Sequence, residues 1–366
     1  MPHVTLVSDL EPDVDWSAFE QLVSLAQLLS QSGHSLSLWL SPKARELEVW
    51  PHRAEKLAPC PNWSTFDAMK SIPFWMGKKT DILHFVPKMN SKNKLHAFTW
   101  LVPFFKSFHN PLIVSSFFSW PASSPYYLKQ LLHLSELVIT PSEYLRHIIS
   151  SDSHSTSHQS LSSLPLFPYA VSQNEFKVPS YYEKLNSFLY LPGGAEDWED
   201  PVASLEQVLN STQAFQGWIV AGHNWTQSFT TSRKLQQLLK VRTDSHRVFF
   251  PETMNSELHQ WLIKNALAIW VKGMRLSSLS LSQSFEDGLD FERPLLFSKL
   301  QSDLHSPHWA TLLTEPEDLG RWLNDPSQSE ALSEKVKSLK TASLLPDPAS
   351  QLNRLYSQSL QKKIDD

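Results

Sequence analysis

Short apolar runs recur along the chain, each followed by a polar stretch and then by apolar residues at helical spacing. Val4-Thr5-Leu6-Val7 predicts a first strand. Phe19, Leu22, Val23, Ala26 and Leu29 then predict a helix, with Ser17 and Glu20 as a capping box and Gly33 in the C′ role. Ser35 to Leu40 predicts the second strand. Further strands are predicted at Asp81–Phe85, Leu112–Ser115 and Leu137–Thr140, with Ser142 capping the next helix. Leu95 to Phe108 predicts an aromatic-rich helix broken or kinked at Pro103, and Ser150 to Ser163 a mobile Ser/His surface loop.

The pattern restarts at Phe188–Leu191, which runs into Pro192-Gly193-Gly194. Strands at Trp218–His223 and Arg247–Phe250 follow, and a helix over Ser256–Asn265. Ala266 to Val271 is another run of strand length. After it come a Ser-rich polar loop from Ser277, a short amphipathic helix over Phe285–Phe291, a stop at Arg293-Pro294 and a strand at Leu295-Leu296-Phe297. Strand, polar loop, helix and strand make the βαβ step of a parallel sheet. The loop leaves a strand's carboxyl end and enters a helix amino end, where free N–H groups attract anions. Leu352, Leu355, Tyr356 and Leu360 place a helix at the end of the chain.

With 366 residues, 41% hydrophobic and 19% charged, the chain suits two ordinary domains. A net charge of -5 argues against a nucleic-acid partner. The single cysteine, Cys60, excludes an internal disulfide framework and points to a reducing, cytoplasmic setting. Met1-Pro2-His3 opens no signal peptide, and no run reaches the roughly 20 apolar residues of a membrane span. Lys78, Lys79, Lys88, Lys92 and Lys94 bracket one strand. They favour a solvated face and leave peripheral contact with a lipid headgroup or anionic acceptor open. His154 and His158 sit in loop composition, so no metal site and no cofactor is expected. Asp13 and Asp15 read as helix N-terminal charges, with acceptor binding as the alternative. Gly is 9, well under the ordinary 7% or so, which counts against tight diphosphate binding; Trp is 14, split between core and a candidate groove.

Several segments resemble the family-four, retaining glycosyltransferases of the GT-B fold. Leu289, Phe291, Arg293 and Pro294 fit that family's nucleotide-sugar segment, and its second Glu falls on Asp287, or on Glu286 one residue earlier. Leu137–Leu145, Gly33-His34, His84, Val171 with Phe176, and Gln301–Leu304 fit elsewhere. The family's first Glu falls near Leu279, its Gly-Phe-Gly is Ser280-Leu281-Ser282-Gln283 here, and its cationic first loop is acidic, Glu196-Asp197-Trp198-Glu199-Asp200.

The resemblance implies an α/β GT-B fold, two Rossmann-like domains facing a central cleft. An acceptor-side domain would cover residues 1–175 and a nucleotide-sugar-type domain residues 176–345. A helix over residues 346–366 would cross back to the first domain. It also implies a donor site in which Gly193, Gly194 and backbone N–H groups around Ser282 and Gln283 take a diphosphate. Asp287, or Glu286, would hold the ribose. No catalytic residue is assigned. The expected function is transfer of a sugar from a nucleotide sugar to a glycan, lipid or protein acceptor. The alternative is an inactive homologue that binds a glycan, an active glycosyltransferase or another protein.

Overall fold

The computed structural model describes residues 2–12, 15–51, 55–56, 80–88, 102, 106–107, 110–120, 126–152, 160–164, 182–226, 229–252, 254–298, 301, 319–342 and 347–365. Cys60, Asp13, Lys78, Lys79, Lys92, Lys94, His154, His158, residues 166–176, residues 302–304 and most of the helix expected over 95–108 lie outside them. The chain divides into two compact units, Met1–Val171 with Leu345–Asp366, and Ser172–Leu344.

The first unit is built on a parallel sheet. Its strands are β1 (His3–Ser8), β2 (Ser35–Trp39), β3 (Glu55–Lys56), β4 (Ile82–Val86), β5 (Leu112–Ser116), β6 (Leu137–Thr140) and β7 (Ser160–Ser163). Their spatial order is β3-β2-β1-β4-β5-β6-β7. Helices α1 (Trp16–Gln31), α2 (Pro42–Arg45), α3 (Tyr126–Leu134) and α4 (Glu143–Asp152) punctuate them. The central strands are buried on both faces, as parallel strands under helices must be, which is why they read as apolar runs.

Two details differ from the sequence reading. The N-cap of α1 is Asp15, not Ser17, and its side chain makes no capping bond. Its carboxylate instead accepts from Glu11 N–H at 3.1 Å and pairs with the Lys88 ammonium at 2.8 Å. A long-range charge has outcompeted the local cap. The second is β7, which pairs with β6 from Ser160↔Leu137 onward inside the segment expected to be a surface loop. An edge strand needs no continuous apolar run, and β7 is only half-buried.

The second unit holds β8 (Phe188–Leu191), β9 (Trp218–Ala221), β10 (Val248–Phe249), β11 (Ala268–Trp270) and β12 (Leu295–Leu296), all parallel, in the order β10-β9-β8-β11-β12. Around them run α5 (Pro201–Ser211), α6 (Phe229–Val241), α7 (Ser256–Asn265), α8 (Leu279–Asp290), α9 (Leu319–Asn324) and α10 (Pro326–Ala342). Asp200 caps α5 through Val202 and Ala203 N–H, with Pro201 at the first helical position. Trp198, Trp225 and Trp270 are fully buried, so these three tryptophans serve the core rather than a groove.

The Ser-rich stretch expected as a loop is mostly helix. α8 begins at Leu279, with Ser278 as N-cap accepting Leu281 N–H at 3.0 Å. Leu281, Phe285 and Leu289, four residues apart, form its buried stripe, and the Ser284 hydroxyl donates back to Ser280 O at 2.6 Å. After α8, Glu292 holds φ 56°, where glycine would be free of strain, and Arg293 N–H closes the helix on Gly288 O at 2.8 Å.

The last helix, α11 (Pro348–Asp365), belongs to the first unit. Leu352 and Tyr356 are its buried anchors. Tyr356 Oη shares a 2.6 Å hydrogen bond with His84 Nδ1, and His84 Nε2 shares one of 2.7 Å with Ser116 Oγ. His34 Nε2 meets Asn353 Oδ1 at 2.7 Å, and the Lys363 ammonium reaches Pro111 O at 2.7 Å and Glu136 Oε1 at 2.9 Å. Among the described residues, no helix is long and apolar enough to cross a membrane.

Candidate functional site

In an open parallel sheet, ligands gather outside the carboxyl ends of the strands where the strand order reverses. In the second unit that point lies between β8 and β11. The loop after β8 is the glycine turn Pro192-Gly193-Gly194, and the loop after β11 leads into α8. Gly193 takes φ 75°, open to glycine and strained for other residues. Two buried indoles brace the turn: Trp198 Nε1 donates to Pro192 O at 3.2 Å and Trp225 Nε1 to Gly193 O at 3.4 Å, their rings edge to face at 5.4 Å.

The β9 loop presses on the same turn. A Cβ on Gly222 would stand 2.0 Å from Gly193 O, a clash with backbone that no side-chain rotation relieves. Gly222→Ala is therefore expected to destabilise the protein by about 1–3 kcal/mol, read as a lower urea midpoint. An unchanged midpoint would show that the turn shifts freely.

Asp197 crosses the crevice. Its Oδ2 accepts Gly194 N–H at 2.8 Å and the Ser280 hydroxyl at 2.8 Å, tying the glycine turn to the first turn of α8. Burial pushes the Asp197 carboxyl above the usual range, Ser280 and Gly194 pull it down, and the charge on Glu196 adds to the rise. Glu196 turns the other way, toward His223 Nε2 at 3.6 Å. Its burial would raise it, but the bonds and charge of His223, with help from Asn224, hold it below the usual range.

The two loops are also joined through backbone. Glu199 N–H donates to Gly273 O at 3.0 Å, Trp198 bridges Met274, and Arg275 N–H donates to Asp197 O at 2.7 Å. The exposed Arg275 side chain donates through Nε to Trp198 O at 2.9 Å.

Gly193 and Gly194 thus lie against Ser280. Ser282 and Gln283 are buried within α8. With Ser278 as N-cap, the N–H groups that lack an intrahelical partner are those of Ser278, Leu279, Ser280 and Leu281, so Ser282 and Gln283 both lie past the free end of the helix. Asp287 is two turns further on, 1% exposed. Its Oδ2 lies 3.3 Å from His259 Nε2, and His259 Nδ1 lies 2.9 Å from Tyr190 Oη. Burial raises the Asp287 carboxyl, against the hydrogen bond and charge of His259, and burial likewise raises the Tyr190 hydroxyl. Glu286 is half-buried, and burial, Asp290 and Asp287 push it up to about 8.

Ser280's hydroxyl, His259, Tyr190 and Arg275 were not singled out from sequence. His259 shares a helix face with buried Leu262 and Ile263 at i+3 and i+4, a spacing that marks burial but does not name Tyr190 or Asp287 as its partners. Arg275 lies on the β11 loop, whereas the cation expected by resemblance belongs to the β8 loop. Among the described residues, no group of three or more His, Cys, Asp or Glu side chains is placed to hold a metal ion.

No family model and no curated protein matches the chain. Solved structures do. A glycosyltransferase from Rickettsia africae ESF-5 is similar at TM-score 0.64 and 9% identity, over 98% of this chain and 98% of that one. Anabaena Alr3699/HepE in complex with UDP and glucose gives TM-score 0.64 and 12% identity, over 98% and 100%. The sucrose-phosphate synthase of Thermosynechococcus elongatus gives 0.60 and 14%, over 98% and 99%. The likeness runs the length of the chain at identities that speak for architecture alone: the protein has the GT-B fold of glycosyltransferases, with two parallel α/β sheets.

Proposed function

We propose that this chain is a glycosyltransferase-like protein that has given up sugar transfer and acts as a binding partner, for a glycan or for an active glycosyltransferase. The observation that carries the proposal is the Asp197 carboxylate on Gly194 N–H and the Ser280 hydroxyl. Those donors stand at the switch point, where a fold of this kind receives phosphate. A second anion about 4 Å from a carboxylate is repelled by on the order of 4 kcal/mol at a surface-like dielectric. The bonding of Asp287 supports the same view, since its carboxyl is committed to His259 inside the core.

Thermal unfolding with uridine, guanosine and adenosine diphosphates and their sugar conjugates tests this. No shift is expected. A ligand at a hundredfold excess over its Kd would add about 2.7 kcal/mol, so a reproducible upward shift with any of them refutes the proposal.

Arg275 favours a second reading, transfer of sugar from a nucleotide donor to a glycan, lipid or protein acceptor. It sets an exposed cation on Trp198 O, in the loop that continues from the glycine turn, and does so from a loop other than the one that carries the cation in the family. HepE, of the same fold, was crystallised with UDP and glucose. Release of nucleoside diphosphate from any of the conjugates would establish it in place of the first.

A further inference from the structure

In each unit the crevice at the switch point lies between the opening strand and the fourth strand in sequence, β1 with β4 and β8 with β11. Both crevices are spanned by an aspartate from the opening loop, Asp9 buried and Asp197 half-buried. In the first unit Asp9 Oδ1 accepts Lys88 N–H at 2.8 Å, and the Lys88 ammonium turns back to Asp15 at 2.8 Å. In the second unit Asp197 Oδ2 accepts Gly194 N–H and the Ser280 hydroxyl. The fold repeats one device: a carboxylate supplied by the chain receives the donors that gather at a strand's carboxyl end.

The second unit shows how fully the place is taken. A Cβ on Gly193 would meet Asp197 Oδ2 at 2.7 Å and Ser280 Cβ at 3.0 Å, so the carboxylate fills the space between the glycine turn and α8. Its two donors, one backbone N–H and one hydroxyl, are the kind a phosphate oxygen accepts from. Glu196 and His223 pair with each other beside it and supply no net cation to draw an outside anion in.

We infer that Asp197 is a built-in anion, an intramolecular stand-in for phosphate that closes the mouth of the second unit, and that removing it turns Gly194 N–H and Ser280 Oγ into a phosphate-binding pair. This role rests on the non-catalytic function proposed above and gives it a cause.

The test is calorimetric titration of the full chain with inorganic pyrophosphate, for wild type, Asp197→Ala, Asp197→Ser and the double variant Asp197→Ala/Ser280→Ala. Wild type should be silent. Both single variants should bind at least tenfold more tightly than wild type, and the double variant should lose that gain. Folded single variants that bind no better than wild type overturn the inference. So does a gain that survives in the double variant. Failure of both single variants to fold also counts against it, because a stand-in for a ligand is dispensable for folding. If wild type and Asp197→Ala are both silent, the plug is wrong and the non-catalytic function stands. If wild type itself takes a nucleotide and Asp197→Ala takes it more tightly, that function falls and the plug survives as a competitor.

Discussion

Acidification should destabilise the first unit through His84, by up to roughly 5 kcal/mol between pH 6.5 and about 3. His84 is wholly buried, and the loss of hydration lowers its pKa from 6.5 to about 3. Within that window the unfolded chain binds a proton that the native chain refuses. Unfolding therefore takes up a proton, and stability falls as pH falls. The gap between the two values, at about 1.4 kcal/mol per pH unit, sets the ceiling. A neutral imidazole offers one donor and one acceptor, and here both are used, on Tyr356 of α11 and Ser116 of β5. A proton added to this ring puts a charge in the core at the point where the last helix is fastened. Urea midpoints for wild type and His84→Gln at pH 7, 6, 5 and 4 would check this. The wild type should lose stability more steeply, by the slope of one proton. Parallel curves would mean that His84 does not carry the effect.

His259→Leu is expected to cost about 3–5 kcal/mol, the ordinary penalty for leaving a buried ionisable group without its partner. The imidazole lies between Asp287 at 3.3 Å and Tyr190 at 2.9 Å, and all three side chains are buried. Removing it strands both. The double variant His259→Leu/Asp287→Leu should recover much of the loss, because replacing both partners with apolar groups removes the unsatisfied carboxyl as well. The readout is again the urea midpoint. A single variant as stable as wild type would show that Asp287 does not depend on His259 and would return it to candidacy as a ligand-facing carboxyl.

The strands were legible where burial was two-sided. Val4–Val7, Leu112–Ser115, Leu137–Thr140 and Phe188–Leu191 are apolar because helices cover both faces of the sheet. β3 and β7 were not, because an edge strand has fewer neighbours and tolerates Ser, Glu and Lys. The first half of α8, residues 279–284, reads as a loop in sequence because serine usually competes with the helical backbone, whereas Phe285 onward reads as helix. The four-residue spacing of Leu281, Phe285 and Leu289 outweighed it once a sheet lay beneath to receive them.

Parallel α/β units and an acidic loop in place of a cationic one were written in the chain, since apolar runs and local charge depend on neighbours in sequence. The direction of each charge was not. Asp197 meets Ser280 83 residues away, and His84 meets Tyr356 272 residues away. Periodicity tells whether a position is buried, but its partner is set by strand order and by which helix crosses which strand. Only the folded chain decides whether an acidic side chain repels a ligand from outside the crevice or takes the ligand's place within it.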